Sequence, residues 1–195
     1  YTQLSKQQLK RRRHLLKLAN TYEKMRRKNR WRSPNIERAN KHGAKEFFRS
    51  RSWTSDPILC IAGFRAFLPD IDKSNRVMNL LERLSDNLRD NKHVMRIAIK
   101  HYSWWALRFA TDRIKDDTET VRIAVNNYGG ALRLASVRLR DDTETVRIAV
   151  KNDGSVLQYA SDRLKDDTET VRIAVKNDGW ALMSASVRLR DDTET

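Results

Sequence analysis

The sequence predicts an all-α fold, an α-solenoid of 25-residue helix-turn-helix repeats with a basic helical N-terminal extension. Three observations carry that prediction. The run Asp-Asp-Thr-Glu-Thr-Val-Arg-Ile-Ala-Val recurs at Asp116, Asp141 and Asp166, and the blocks it opens follow one another without a gap to Arg190. Apolar residues in the second half of each block recur at i, i+3, i+4 and i+7, one stripe of a helix. Lys and Arg crowd residues 1–51, 17 against three acids for a net of +14, whereas residues 52–195 nearly balance at 23 against 22. A period this short marks a repeat array, in which each unit buries its inner faces only against its neighbours.

Residues 1–54 read as a basic helical arm. Residues 5–29 form its helix, with Leu15, Leu18, Ala19, Tyr22 and Met25 on one stripe and cations around it. Ser33-Pro34 interrupts the helix, and residues 35–53 interleave Arg and Lys with Phe47, Phe48 and Trp53. Three readings of the arm stay open. The leading one is nucleic acid, RNA in preference to DNA, bound through residues 6–51. Lys10, Arg11, Arg12, Arg13, Lys17, Arg26, Arg27, Lys28, Arg30 and Arg32 would contact phosphates, and the aromatics at 31, 47, 48 and 53 would stack on bases. A basic amphipathic helix also suits an anionic membrane or a helix-binding groove. In the plainest reading the apolar stripe packs on the repeats and the cations are solvated. The stripe has no Trp or Phe before Trp31, which counts against the membrane.

Residues 55–79 connect the arm to the array. Ser55-Asp56-Pro57 opens a helix there, with Pro at an early position. The array spans 80–195: a partial unit at 80–89, a degenerate one at 90–115, full units at 116–140, 141–165 and 166–190, and a truncated one at 191–195. In each full unit Asp116-x-x-Glu119 or its equivalent reads as a capping box. The first helix stops at Gly129, Gly154 or Gly179, each expected to supply a left-handed C′ residue, and a second helix follows over about 130–140. Its stripe Leu132, Ala135, Ser136, Leu139, repeated as Leu157 to Leu164 and Leu182 to Leu189, reads as core. A second stripe changes from unit to unit but keeps an apolar character. It holds Trp105, Phe109, Arg133, Leu134, Tyr159, Trp180 and Met183, and it is either a protein-binding face or a contact between units.

The motif Asp-Asp-x-Glu-x-Val…Ala-Val-Lys-Asn-Asp-Gly-x-Ala-Leu-x-x-Ala-Ser-x-x-Leu resembles the tandem repeats grouped as domain of unknown function 4116, over residues 90–195 and weakly from 80. The resemblance implies an α-solenoid and no particular activity. Arg122, Arg147 and Arg172 stand where that family usually carries an apolar residue.

Catalytic chemistry is not legible. There is no phosphate-binding Gly-rich loop, no His-Glu-x-x-His, and the one cysteine, Cys60, sits in the apolar run Ile58-Leu-Cys-Ile-Ala62. No metal site, cofactor or catalytic residue is expected; the repeated acids read as helix caps, not calcium ligands. No apolar run reaches the roughly 18 residues that a membrane span needs. A single cysteine and the lack of a secretory h-region favour an intracellular or virion setting over secretion. Tyr1 in place of Met, and a close on Asp-Asp-Thr-Glu-Thr, predict further residues at both ends. The expectation is therefore a non-enzymatic architectural protein in a large ribonucleoprotein or viral assembly. Its repeats dock on a protein and its arm binds nucleic acid. The alternative is a pure protein–protein module, a capsid component or effector adaptor, with the arm on an acidic protein surface.

Overall fold

A computed structural model describes residues 4–27, 44–45, 47–49, 51–67, 80–102 and 105–191, and all regular structure among these residues is helical, with no strand. The chain divides into two compact units, residues 1–97 and 98–195.

In the first unit, α1 (Lys6–Arg27) packs against α2 (Pro57–Phe67). A reciprocal cap opens α1: Gln8 N donates to Ser5 Oγ at 3.2 Å and Ser5 N to Gln8 Oε1 at 2.7 Å. Leu15, Ala19 and Tyr22 of α1 are buried, as are Leu59, Cys60, Phe64 and Ala66 of α2. Asp56 caps α2 by accepting from the Ile58 and Leu59 amides at 2.9 and 3.2 Å, and it also accepts from Arg12 Nε at 2.5 Å, so one carboxylate joins the two helices. Phe47, Phe48, Trp53 and Phe64 form a buried aromatic cluster with ring centroids 5.2 to 6.2 Å apart. Gly63 makes room for it, because a Cβ there would lie 2.2 Å from Phe47 Cε1. The arm's apolar stripe therefore does have a partner, and that partner is α2. The unit closes with α3 (Asp86–Arg89), and α4 (Lys92–Tyr102) runs across the division between the units.

The second unit continues through α5 (Trp105–Arg108) and α6 (Asp112–Lys115) into three equivalent blocks. Each block is a ten-residue α-helix, a six-residue 3-10 segment and a four-residue α-turn. The blocks are α7 (Thr118–Asn127), Gly129–Leu134 and α8 (Val137–Arg140); α9 (Thr143–Asn152), Gly154–Tyr159 and α10 (Asp162–Lys165); α11 (Thr168–Asn177), Gly179–Ser184 and α12 (Val187–Arg190). The expected second helix is thus broken at Ala135–Ser136, where the backbone is extended. The Ser136 amide, which would have continued the helix, donates instead to the Lys115 carbonyl of the block before, at 3.0 Å. Ser161 and Ser186 do the same to Arg140 and Lys165 at 2.9 Å. The Ser136 hydroxyl then caps α8 by accepting from the Leu139 amide.

The cap of the first helix is the second aspartate of each pair. Asp117, Asp142 and Asp167 accept from the amides of Thr120, Thr145 and Thr170, so the capping box expected at Asp116-x-x-Glu119 lies one residue too early. These threonines are fully buried, and each hydroxyl also donates to the cap carboxylate, at 2.5 to 2.6 Å. A buried hydroxyl without such a partner would cost free energy. The glycines that follow the first helices also have a different role. None of Gly129, Gly154 and Gly179 has a left-handed φ. A Cβ on Gly129 would lie 2.5 Å from the Ala149 carbonyl oxygen, and one on Gly154 would lie 2.3 Å from that of Ala174. Glycine is needed because the next block's helix backbone lies directly against it.

The Leu stripe is core as expected in five of six positions: Leu132, Leu139, Leu157, Leu164 and Leu189 are fully buried. Leu182, in the last described block, is half-buried.

Candidate nucleic-acid and protein interfaces

On α1 the side chains of Lys6, Lys10, Arg13, Lys17 and Lys24 are all exposed. Their spacing is i, i+4, i+7, i+11 and i+18. At about 100° per residue this places them on one stripe, opposite the buried Leu15, Ala19 and Tyr22. Eighteen residues at about 1.5 Å make the stripe about 27 Å long. The one acid described on α1, Glu23, lies on a different side and is half-buried. Cations so arranged lose little by facing solvent, and they offer a charged edge to any polyanion.

Sequence reasoning found part of this edge. Lys10, Arg13 and Lys17 belong to it; Arg11 is exposed but lies about 130° around the helix from it. Arg12 points the other way, into its pair with Asp56. Arg26 and Arg27 end the α1 backbone, and Lys28, Arg30 and Arg32 lie outside the described residues, as does Trp31. Lys6 and Lys24 were missed, although plotting the cations against the apolar stripe at the helical period would have found them. The stacking role expected of Phe47, Phe48 and Trp53 does not survive. All three are buried, and the Trp53 ring lies under the Arg83 guanidinium, 5.4 Å from its centroid, with its indole N–H given to the Phe48 carbonyl.

The second candidate surface is the variable stripe of the repeats. Trp180 is 81% exposed and Met183 67%, and Arg133 is also exposed. Trp105 is 39% exposed, with the Arg108 guanidinium 5.8 Å from its ring centroid. Phe109, Leu134 and Tyr159 are half-buried. The stripe is therefore more open than the Leu stripe, most of all in the last described block, where Val187, the first residue of α12, is also exposed.

Two sets of side-chain hydrogen bonds join successive blocks, and a third ties each block to itself. Arg122 donates from Nε to Thr145 Oγ1 at 3.1 Å and from Nη2 to Asp142 Oδ2 at 3.0 Å; Arg147 repeats both distances on Thr170 and Asp167. The arginine of the first helix thus reaches the cap of the next one. On the other side, the first aspartate of each pair accepts from Ser and Arg at the far end of its own block. Asp116 takes Ser136 Oγ and Arg138 Nε, Asp141 takes Ser161 and Arg163, and Asp166 takes Ser186 and Arg188. Finally, Asn152 Nδ2 donates to the Val125 and Asn126 carbonyls, and Asn177 joins the Lys151 carbonyl to the Gly154 amide.

The carboxylates in these ladders are held below the usual range. For Asp116, Asp141 and Asp166 the serine hydroxyl is the main cause, with the arginine adding to it. At Asp142 burial acts the other way but is outweighed by the Thr145 hydroxyl and amide and by Arg122; at Asp167 the Thr170 hydroxyl leads. On acidification the unfolded chain takes up protons at these sites first, so their stabilising effect is present above the ordinary carboxylate pKa of about 3.9 and is lost below it. The melting temperature should accordingly be level near neutrality and fall steadily between about pH 5 and pH 3. A melting temperature independent of pH over that window would mean that these bonds are absent in solution.

Cys60 is fully buried beside Asp56, and burial first, then that charge, pushes its thiol up, the reverse of what a nucleophile needs. Among the described residues no cluster of His, Cys, Asp and Glu could hold a metal ion, and no helix is long and apolar enough to cross a membrane.

Residues 142–190 match the model of the family described as domain of unknown function (DUF4116), in agreement with the resemblance read from the motif. The match covers the last two blocks. No curated protein and no solved structure matches the chain.

Proposed function

We propose that this chain is a non-enzymatic interaction protein with two working surfaces. In this reading the blocks of residues 98–190 form an α-solenoid, which docks on a protein neighbour through Trp105, Trp180 and Met183. Helix α1 lies along the phosphate backbone of a nucleic acid, RNA in preference to DNA, within a larger ribonucleoprotein or viral assembly. The observation that supports it is the exposed stripe Lys6, Lys10, Arg13, Lys17 and Lys24. The solenoid reading is supported by the bonds that link each block to the next in the same way. With the nearby described aromatics buried, the stripe offers charge without stacking, so binding is expected to be independent of sequence.

Removing residues 1–51 would be a poor test, since it also strips Leu15, Ala19, Tyr22, Phe47 and Phe48 from the core. The five cations should instead be changed together to Gln. Anisotropy of a labelled RNA should show the intact protein losing affinity with a log–log salt slope of about 4, from about 0.7–0.9 per phosphate contact. The variant should lose almost all binding while keeping its circular dichroism. Equal affinity in both proteins, or affinity indifferent to salt between about 50 and 200 mM, would remove nucleic acid from the reading. The buried aromatics also leave an acidic protein surface as the alternative occupant of the stripe. It would be recognised by capture of a stoichiometric acidic partner by the intact protein and not by the variant.

A further inference from the structure

We infer that block 116–140 carries a binding site for an acidic peptide segment in which a carboxylate neighbours a large apolar side chain. The inference rests on the reading of the repeats as protein-docking blocks, and it adds a site that needs neither α1 nor Trp180. The three blocks are close copies, so the places where they differ are informative. Where the next two blocks carry Asp153 and Asp178, this one carries Tyr128; where block 141–165 carries Asp162, this one carries Val137. Both replacements stay in water, Tyr128 at 44% exposure and Val137 at 73%, although block 141–165 is seated against this block at Gly129. The tyrosine is held in place. Asp153 and Asp178 accept from the amides of Ser155 and Trp180 at 3.1 and 3.0 Å and so cap their 3-10 segments; Tyr128 forgoes that cap. Its ring lies over Gly130 instead. A Cβ on Gly130 would lie 2.3 Å from Tyr128 Cε1, and the three nearest atoms all belong to that ring. Gly130 has no left-handed φ, so it is the ring that requires glycine there.

Cations accompany the two apolar side chains. Residues i and i+3 of a 3-10 segment eclipse, which sets the exposed Arg133 on the side where the ring lies. Val137 and Arg140 share a face of α8. In α6 and α10 the same two positions form an ion pair, Lys115 with Asp112 at 3.5 Å and Lys165 with Asp162 at 3.7 Å. With valine in place of the acid, Arg140 has no carboxylate partner among the described residues, and its Nε is covered without an acceptor. Charge names the occupant. This block has a net charge of +1 where the next has −1, and it gains apolar surface where the acids were lost. A segment that brings Asp or Glu supplies the counter-charge missing at Arg140 and meets Arg133, while its apolar neighbour covers Tyr128 and Val137. Tyrosine and arginine are the side chains that dominate such contacts.

The test selects a library of random peptides, displayed on phage, on the full chain. Enriched sequences should place Asp or Glu beside Leu, Ile, Phe or Trp. A synthetic copy of the strongest is then titrated against three variants. The first, Tyr128→Asp with Gly130→Ser and Val137→Asp, copies residues that the next block already holds and should keep the circular dichroism of the intact chain. The second is Arg133→Gln with Arg140→Gln, both at the surface. The third, Trp180→Ser with Met183→Gln, leaves block 116–140 untouched. Affinity should fall at least about 10-fold in each of the first two and change less than about 2-fold in the third. Enrichment of sequences without acids, or undiminished binding by the first two variants, would overturn the site. A loss confined to the third variant would overturn it too, while keeping the repeats as a docking surface. No enrichment at all would remove both.

Discussion

Replacing Gly154 by alanine should lower the melting temperature by roughly 6–12 °C, the equivalent of about 3 kcal/mol in a chain of this size. The added methyl would lie 2.3 Å from the Ala174 carbonyl oxygen and 2.9 Å from the Asp178 backbone nitrogen. Neither is the end of a flexible side chain, so α11 itself would have to move. That movement would disturb the Arg147 bonds to Asp167 and Thr170, which depend on the same spacing. The same change at Gly179 should have the opposite sign. Its backbone is not left-handed and nothing described lies near it, so alanine there only narrows the unfolded ensemble, stabilising by about 0.4–1 kcal/mol. Thermal melts of the two variants side by side decide the matter. If both substitutions had the same effect, blocks would not be in contact at these glycines.

Leu157→Ala should cost about 2–5 kcal/mol in denaturant unfolding. The side chain is fully buried between its own helix and the next block, and a close-packed interior relaxes only partly around the cavity left behind. Leu182→Ala removes the same atoms from a half-buried site and should cost no more than about 2 kcal/mol. Equal costs at the two positions would show that position within the row of blocks has no influence on burial.

What could be read from the sequence was what depends on local order. The period, the first helix of each block and the Leu stripe all follow from residues within one block, and all are found. In the repeats, the errors come from contacts between residues 20 or more apart in the chain. Ser136 leaves the helix because its amide answers a carbonyl 21 residues earlier, and no local propensity encodes that. Gly129 looks like a helix terminator until the neighbouring helix is in place. Of the paired aspartates the first appears to be the cap, yet Asp116 belongs to Ser136 and Arg138, and Asp117 does the capping. In the first unit, aromatics interleaved with cations suggested stacking, but Phe47, Phe48 and Trp53 pack with Phe64 and over Gly63. For the cationic edge on α1, both the composition and, at the helical period, the geometry were legible, but Lys6 and Lys24 were not set against the apolar stripe.

Because each block carries both halves of its own interface, its order in the gene matters little. The arginine that gives and the aspartate that receives lie in the same 25 residues, as do the glycine and the alanine carbonyl it admits. An in-frame duplication of that stretch would create a compatible junction at birth, with no compensating change elsewhere, and a deletion would heal in the same way. Nothing in a head-to-tail contact fixes how many blocks follow one another, so array length is free to drift by unequal recombination. Selection is then left to act on the outward side chains, where Gly130, Ser155 and Trp180 already differ.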